Sequence, residues 1–303
     1  MLKIVSYNLL ADPLASPASF GNYHPKVLSA SRRWKLTMNL MKTFVEELDI
    51  DILCLQEVTK TRWSTLSDFF DEHGYRSFFV IQGRPFNDYM GIMVAVKNSL
   101  KPHSPEFLRL SDLMAQKYEL DEYHIKEILT TYENFTLSQA REFAGAWYEK
   151  VRGNFNWLIR LHITHQDHDV VVVNTHLPCR FEDQRAMILY ARTAVSTIRE
   201  YPRAILAGDF NINSEEVAYY SLVSELTSAH VLATEKEPEY TNVSETVFRD
   251  GPPNYFKGTI DYVLTRGFTK STVLLPLPTD GKKLPSETHP SDHVALCYGL
   301  EVE

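Results

Sequence analysis

The sequence predicts an α/β fold from three features: short apolar runs of strand length, intervening segments with apolar residues four positions apart, and proline-punctuated loops between them. Residues 2–10 alternate enough to read as a first strand, and DILCLQEV, from Asp51 to Val58, has the apolar run expected of a buried strand. Between them Leu36, Leu40, Phe44 and Leu48 place one apolar stripe on a helix. A second helix is expected over Thr61–Glu72 with Trp63, Leu66 and Phe70 inward, followed by strands at Tyr75–Ile81 and Met90–Val96.

After residue 96 the period changes. From 111 to 151 the pattern is helical, with Leu113, Tyr118, Ile125, Ile128, Leu129, Phe143 and Trp147 interleaved with charge, and this stretch reads as a helical insertion within one domain. Strands resume at Trp157–Ile163, Val170–Asn174, Ala204–Leu206, Thr259–Leu264, Thr272–Leu275 and His293–Tyr298. Helices are expected at Phe181–Arg199, with Met187, Ala191, Val195 and Ile198 inward, and at Ser214–Leu226. The histidine-rich HITHQDHD, residues 162–169, lies between two of these strands and is most simply a polar hairpin turn. No internal repeat or low-complexity tract is seen.

A net charge of -8 argues against affinity resting on a broad basic surface, although a local basic patch can still hold a single strand over a carboxylate-lined site. Cys54, Cys179 and Cys297 are an odd, widely spaced set, which suggests neither a disulfide framework nor a zinc ribbon. With no signal-peptide pattern and no apolar run of membrane-spanning length, the expectation is a soluble, reducing compartment, the cytoplasm or the nucleus.

Polar residues stand at the C-terminal edges of the apolar strands, where an open sheet presents side chains to a cleft. They are Asn8 in SYNLL, Glu57 in LQEV, His176 in NTHL, Asp209 and Asn211 in GDFN, Asp261 in IDYVL, and Asp292 with His293 in PSDH. Carboxylates, imidazoles and amides together are hard to bury without partners, so their joint occurrence points to one site. Glu57, with Asn8, Asp209, Asn211 and Asp292, offers hard oxygen donors suited to Mg²⁺, with Mn²⁺ as a substitute. His176 and His293 suit donation to phosphoryl oxygens, Asp261 suits orientation of His293, and Asp209 suits proton abstraction from a water held by Asn211. No covalent-nucleophile motif competes, so direct attack by water is the simpler chemistry.

This ordered motif series resembles the endonuclease/exonuclease/phosphatase superfamily, the fold of DNase I, across residues 4–296. The resemblance implies a four-layer sandwich, two face-to-face mixed β-sheets with helices outside, formed by a single catalytic domain over residues 1–303. It also implies metal binding by Glu57 and catalytic roles for Asn8, His176, Asp209, Asn211, Asp261 and His293. Within the superfamily, NYHP at 22–25 followed by Arg33, YTN at 240–242, FKGTIDYVL and LPSETHPSDH resemble the carbon catabolite repressor type deadenylases with their nocturnin, Angel and 2′,5′-phosphodiesterase relatives. The chain has DYMGIMV and THLPCRF where many members carry an acidic residue before the glycine and a tryptophan after the histidine. No recruitment module is visible, and oligomeric state is left open.

That resemblance implies a 3′-exoribonuclease that prefers poly(A), or else a phosphatase or phosphodiesterase acting on a small nucleotide, 2′,5′-oligoadenylate or sugar phosphate. A nucleic-acid-binding protein that has lost catalysis is the third alternative. Phe256 occupies the position of an aromatic residue that stacks on adenine in the deadenylase group, and its neighbours place it in a loop feeding the catalytic strand. Asn254 and Tyr255 are the candidates for polar contacts to the base edge.

Overall fold

The computed structural model describes residues 1–117, 126, 129–130, 136–247, 252–278 and 280–302. In chain order the elements are β1 (Leu2–Asn8), α1 (Pro25–Leu28), α2 (Ala30–Lys42) continued by a π-helical turn over Thr43–Glu47, β2 (Ile52–Val58), α3 (Lys60–Glu72), β3 (Tyr75–Ile81) and β4 (Gly91–Lys97). Then come β5 (Glu106–Arg109), α4 (Leu110–Lys117), α5 (Leu137–Arg152), β6 (Trp157–His165), β7 (His168–His176), α6 (Gln184–Ser196), β8 (Ala204–Asp209) and α7 (Val217–Val223). The chain closes with β9 (Thr227–Ser228), α8 (Ala229–Thr234), β10 (Asn242–Val247), β11 (Pro253–Gly258), β12 (Asp261–Arg266), β13 (Lys270–Val273) and β14 (Leu296–Glu301).

Two six-stranded sheets result, ordered β13-β14-β1-β2-β4-β3 and β5-β6-β7-β8-β12-β9, with β10-β11 as a separate two-stranded ribbon. Both sheets are mixed: β1 runs parallel to β2 and β7 parallel to β8, while the other pairings are antiparallel. Side-chain alternation explains the layering. Leu2 and Ile4 of β1 meet Ile159, Ile163, Val170 and Val172 of the second sheet in a shared inner core, whereas Val5 and Tyr7 turn outward against Met41, Phe44 and Phe70. On the far side Val171 and Val173 pack against Met187, Tyr190 and Val195 of α6. Burial on both faces is why these strands read as apolar runs. The arrangement is the four-layer sandwich expected from the motifs.

Several expectations needed adjustment. Of the expected stripe, Phe44 is buried and Leu40 and Leu48 pack partly buried against the same core, but the most deeply buried positions of α2 are Arg33, Thr37 and Met41. Arg33 is drawn inward because its guanidinium donates to the carbonyls of Leu10 and Pro290, tying the loop after β1 to the loop before β14. Of the stretch 111–151, Met114 and Val151 pack into the same core as α6, beside the preceding Leu110, while Tyr118, Ile125 and Ile128 lie outside the described residues. HITHQDHD lies mostly in the ends of β6 and β7, and only Gln166 and Asp167, at φ 50° and 61°, form the hairpin turn, as a two-residue connection of this type requires. Among the described residues no helix is long and apolar enough to cross a membrane.

The ribbon β10-β11 was not foreseen, because Pro252 and Pro253 read as loop punctuation. Proline is admissible at the start of an edge strand, where its missing N–H leaves no ladder bond unmade. Phe256 therefore stands on β11, not in a loop. Asp261 opens β12, and Asp292 and His293 precede β14, so these three are not at C-terminal strand ends. Asp261 reaches the same edge as His176 and Asp209 because β12 runs antiparallel to β8, and Asp292 and His293 reach the site on the loop that enters β14, antiparallel to β1.

Candidate active site

Sheet register assembles half of the site. β8 pairs Asp209 with His176 of parallel β7 on one side and with Asp261 of antiparallel β12 on the other. Directly opposed residues share a face, so one imidazole and two carboxylates stand side by side across three strands. Gly208 permits this closeness: at φ 148° it lies where L side chains rarely fit, and a Cβ there would stand 1.9 Å from the Thr175 carbonyl oxygen.

The facing sheet supplies Asn8 and Glu57. Parallel pairing sets Asn8 beside Gln56, and a register break between Leu55 and Val58 puts Glu57 in an irregular position at φ 55°. A bulge of this kind re-aims a side chain, here toward the gap between the sheets. Asn8 Nδ2 donates to Glu57 Oε1 at 3.2 Å and to Asp209 Oδ2 at 2.9 Å, joining the sheets. Its own Oδ1 accepts the Leu10 N–H at 2.9 Å, and Glu57 Oε2 accepts the Ala11 N–H at 2.8 Å. Behind them Gln56 Nε2 donates to Asn174 Oδ1 at 2.8 Å, a buried amide pair that fixes the sheet-to-sheet register.

Asn211 is left-handed at φ 52°, a conformation Asn tolerates better than most residues. Its N–H donates to Asp209 Oδ1 and its Nδ2 to the Leu177 carbonyl, each at 2.9 Å. His293 arrives on the loop before β14, held by a bridge to Asn242 and by the Val243 N–H on the Asp292 carbonyl. Its Nδ1 lies 2.8 Å from Asp261 Oδ2, and its Nε2 lies 3.8 Å from Asp209 Oδ2 and 4.0 Å from Asp292 Oδ1. His176 Nε2 is 3.6 Å from the same Asp209 oxygen.

Burial and charge oppose each other here. Burial pushes the Asp261 carboxyl up to about 6 against the pull of His293, and burial likewise raises Asp292. For His293 burial acts to lower the pKa, but the carboxylates of Asp261, Asp292 and Asp209 outweigh it and hold the imidazole well above its ordinary value. The two members of the Asp261–His293 pair thus both lean toward binding a proton. The direction that governs is the raised His293, since three carboxylates surround one imidazole and favour its protonated form.

A cleft of about 720 Å³ opens over this array, and Glu57, His176, Asp209, Asn211, Asp292 and His293 all line it. Its wall includes the ribbon, where Ser244 pairs with Phe256 and Thr246 with Asn254 on one face. Phe256 and Asn254 therefore face the cleft, whereas Tyr255 falls on the alternate face and does not line it. The Phe256 ring stacks against Phe181, with centroids 6.1 Å apart and planes at 26°.

Four supporting residues escaped the sequence reading as site residues. Asn242 Nδ2 donates to Asp292 Oδ2 at 3.2 Å, and Thr241 Oγ1 accepts the N–H groups of Ile260 and Asp261. Ser291 Oγ donates to the Asn8 carbonyl and accepts the His293 N–H, while Asn156 Nδ2 donates to the His176 carbonyl at 2.6 Å. Three of them sit inside YTN and PSDH, which gave a signal; nothing in the neighbourhood of Asn156 marks it.

The donor set suits a hard divalent cation. Among the described residues Asp292 Oδ1 and Asp261 Oδ1 are buried without hydrogen-bond partners, and Glu57 lines the cleft. Asp209, Asp261 and His293 also place ligand atoms within 4.8 Å of one another, but His293 Nδ1 is already committed to Asp261, so that closeness is the closeness of a hydrogen-bonded array. Oxygen donors on the Glu57 and Asp292 side fit Mg²⁺ better.

A family model described as the Endonuclease/Exonuclease/phosphatase family matches residues 5–293. The chain is 25% identical over 330 residues to carbon catabolite repressor protein 4 homolog 4 of Arabidopsis thaliana, covering 99% of this chain and 77% of that one. It is 25% identical over 337 residues to 2′,5′-phosphodiesterase 12 of Homo sapiens, covering 99% of this chain and 52% of the relative, so it spans about half that protein's length. Among solved structures, ANGEL2, a 2′,3′-cyclic phosphatase in complex with adenosine-2′,3′-vanadate, superposes with a TM-score of 0.69 at 15% identity, covering 98% of this chain and 94% of that one. The human Nocturnin catalytic domain with bound sulfate does so at 0.64 and 19%, covering 99% and 93%. At these identities the two superpositions establish likeness of fold.

Proposed function

From the membership of this chain in the endonuclease/exonuclease/phosphatase family, whose enzymes are divalent-metal-dependent hydrolases of phosphate esters, we propose that it is a Mg²⁺-dependent 3′-exoribonuclease with a preference for poly(A). Residues 1–303 act in this reading as one catalytic domain, with 111–151 as a helical insertion. The observation that carries it is the Phe181–Phe256 ring pair on the wall of a cleft that ends on His176, Asp209 and His293. Ring surface for a base thus adjoins donors for a phosphate, and base stacking contributes roughly 1 to 3 kcal/mol per base.

Mg²⁺, or Mn²⁺ in its place, held by Glu57 with Asp292 and Asp209 beside it, would supply Lewis-acid polarisation of the phosphoryl oxygens. Asn8 serves this set by its amide N–H groups, which fix Glu57 and Asp209, since its oxygen is occupied by Leu10. Asp209 takes the proton of the attacking water, and Asn211, locked by Leu177, holds that water in line. His293, kept protonated by its carboxylates, and His176 donate to the charge that grows on the phosphoryl oxygens. Asp261 fixes the orientation of the His293 ring through Nδ1.

A second reading, hydrolysis of 2′,5′-linked oligoadenylate or of a small nucleotide or sugar phosphate, is favoured by the relative named 2′,5′-phosphodiesterase 12. Incubation with Mg²⁺ and a panel of oligo(A), mixed-sequence RNA, 2′,5′-oligoadenylate, single-stranded DNA and a dinucleotide phosphate separates the two. A ladder shortening from the 3′ end of oligo(A) supports the first reading. Turnover confined to the 2′,5′-linked or small substrates overturns it, and no turnover on any of them favours a binding protein without catalysis.

A further inference from the structure

We infer that Arg84, Phe155 and Arg109 form a second binding subsite at the edge of the cleft, which holds the single-stranded polynucleotide where it leaves the catalytic groups. The inference rests on the nuclease reading for the identity of its ligand.

The place is set by the backbone. Phe155 directly precedes Asn156, the residue that lines the cleft and bonds the His176 carbonyl. Arg109 opposes Trp157 across the β5-β6 ladder, and the Leu110 N–H donates to the Asn156 carbonyl. From the other sheet, the β3-β4 loop carries Arg84 and returns to cleft-lining Met90, whose carbonyl accepts the Gln82 and Gly83 N–H groups. Gln82 Nε2 donates to the Trp157 carbonyl at 2.7 Å, so the two loops are stitched together where the patch forms. The β3-β4 loop is fixed as well: Asn87 is buried and its Oδ1 accepts the Arg84 N–H at 2.7 Å.

The chemistry is cationic and aromatic. The Arg84 guanidinium lies 4.3 Å from the Phe155 ring centroid and the Arg109 guanidinium 5.9 Å from it. Among the described residues neither arginine has a carboxylate within ion-pair distance, and Arg109 Nε is buried without a hydrogen-bond partner. In a chain of net charge -8, two arginines gathered on one ring, with no carboxylate at ion-pair distance among the described residues, form a local reversal of sign. A ring face holds a guanidinium by its quadrupole and leaves the N–H edge free, and that edge matches the two oxygens of a phosphodiester. Phe155 is 47% exposed and Phe86, on the same loop as Arg84, is 71% exposed, which leaves ring surface on which sequence-tolerant stacking can occur. Paired phosphate and base contacts next to a hydrolytic cleft fit a flexible single strand. A duplex would present its bases stacked and inaccessible.

The test compares Arg84→Glu and Phe155→Ala with wild type in two measurements. In the first, a labelled oligo(A) 20-mer with phosphorothioate linkages, which resist cleavage, is titrated with protein in Mg²⁺ buffer over a range of salt. In the second, hydrolysis of an unmodified 20-mer and of a dinucleotide is followed. Arg84→Glu is expected to weaken 20-mer binding roughly tenfold and to flatten the log–log salt slope by about 0.7, the share of one phosphate contact to a single strand. KM for the 20-mer rises in step, while dinucleotide hydrolysis stays unchanged. Arg84→Lys, which keeps the charge, should recover most of the slope, an outcome that a packing defect would not give.

Unchanged 20-mer affinity and salt slope in Arg84→Glu, with Phe155→Ala also silent, would overturn the subsite whatever the catalytic result. So would wild-type protein that binds the 20-mer no better than the dinucleotide. Salt-sensitive 20-mer binding without cleavage of any oligonucleotide would instead overturn the nuclease reading and leave the subsite standing.

Discussion

Replacing Asp261 tests whether it acts only through His293. The two are joined by a single 2.8 Å contact from Nδ1 to Oδ2, and both are buried. Removing one partner of a buried charge pair costs about 3 to 5 kcal/mol. If that cost falls on the transition state, at about 1.4 kcal/mol per decade, turnover drops by about 10²- to 10⁴-fold. KM should change little, because a ground-state substrate does not need the imidazolium as the transition state does. His293→Ala should lose a similar amount, and the double variant Asp261→Ala/His293→Ala should be scarcely worse than His293→Ala alone.

The pH profile supplies an independent check on the same pair. Burial acts to lower the His293 pKa and the carboxylates, led by Asp261, raise it above the ordinary value. An acid that must be protonated gives activity that falls as pH rises through its pKa. Taking away Asp261 removes the leading support of the protonated form, so the alkaline limb moves to lower pH in Asp261→Ala. Steady-state kinetics on the four proteins of the cycle across pH are the assay. Two large losses that multiply in the double variant, or an alkaline limb that stays in place, would refute the orienting role.

Other outcomes follow from the same geometry. Glu57→Ala should leave a folded but inactive protein, and chelation should abolish wild-type activity with recovery on adding Mg²⁺; full activity of either would remove Glu57 from the metal set. Asp209→Asn, which keeps the shape but not the base, should lower turnover at least ~10²-fold with little change in KM, as a group acting mainly in the transition state requires. Phe256→Ala should slow oligo(A) cleavage roughly tenfold and spare a small non-nucleotide phosphodiester, whereas equal losses on both would mean that Phe256 merely packs against Phe181. Glu237 accepts the hydroxyls of Tyr219 and Ser228, yet burial holds its carboxyl above the usual range. A carboxyl whose folded pKa is raised favours the folded state in protonated form, so its contribution is lost as pH climbs from the unfolded value through the folded one. Glu237→Gln should therefore raise the thermal midpoint more at pH 8 than at pH 4.5, measured by calorimetry, and an equal shift at both would contradict this.

Local patterns carried much of this protein. Leu2–Asn8, Ile52–Val58 and the Val170–Asn174 centre of β7 were legible as strands because burial on both faces selects apolar runs there. The inward face of α6 was legible because Met187, Ala191 and Val195 obey the helical period, and Ile198 just past its end packs into the same core. The candidate site residues were legible as a set because hydrolytic chemistry needs carboxylates, imidazoles and amides that a core would reject.

What the sequence could not decide depends on contacts between distant segments. Proline at 252 and 253 hid the β10-β11 ribbon, and only the ribbon's alternation separates cleft-facing Asn254 and Phe256 from Tyr255. Arg33 breaks the apolar stripe of α2 because two backbone carbonyls from opposite ends of the chain wait for it. The use of Asn8 as a donor to Glu57 and Asp209 depends on how closely the two sheets approach, and the gathering of Arg84 and Arg109 on Phe155 on how two loops meet. Residue type and period are set by each segment's own surroundings and can be read one segment at a time. Register, strand direction and the spacing of the two sheets are settled only when every segment packs at once.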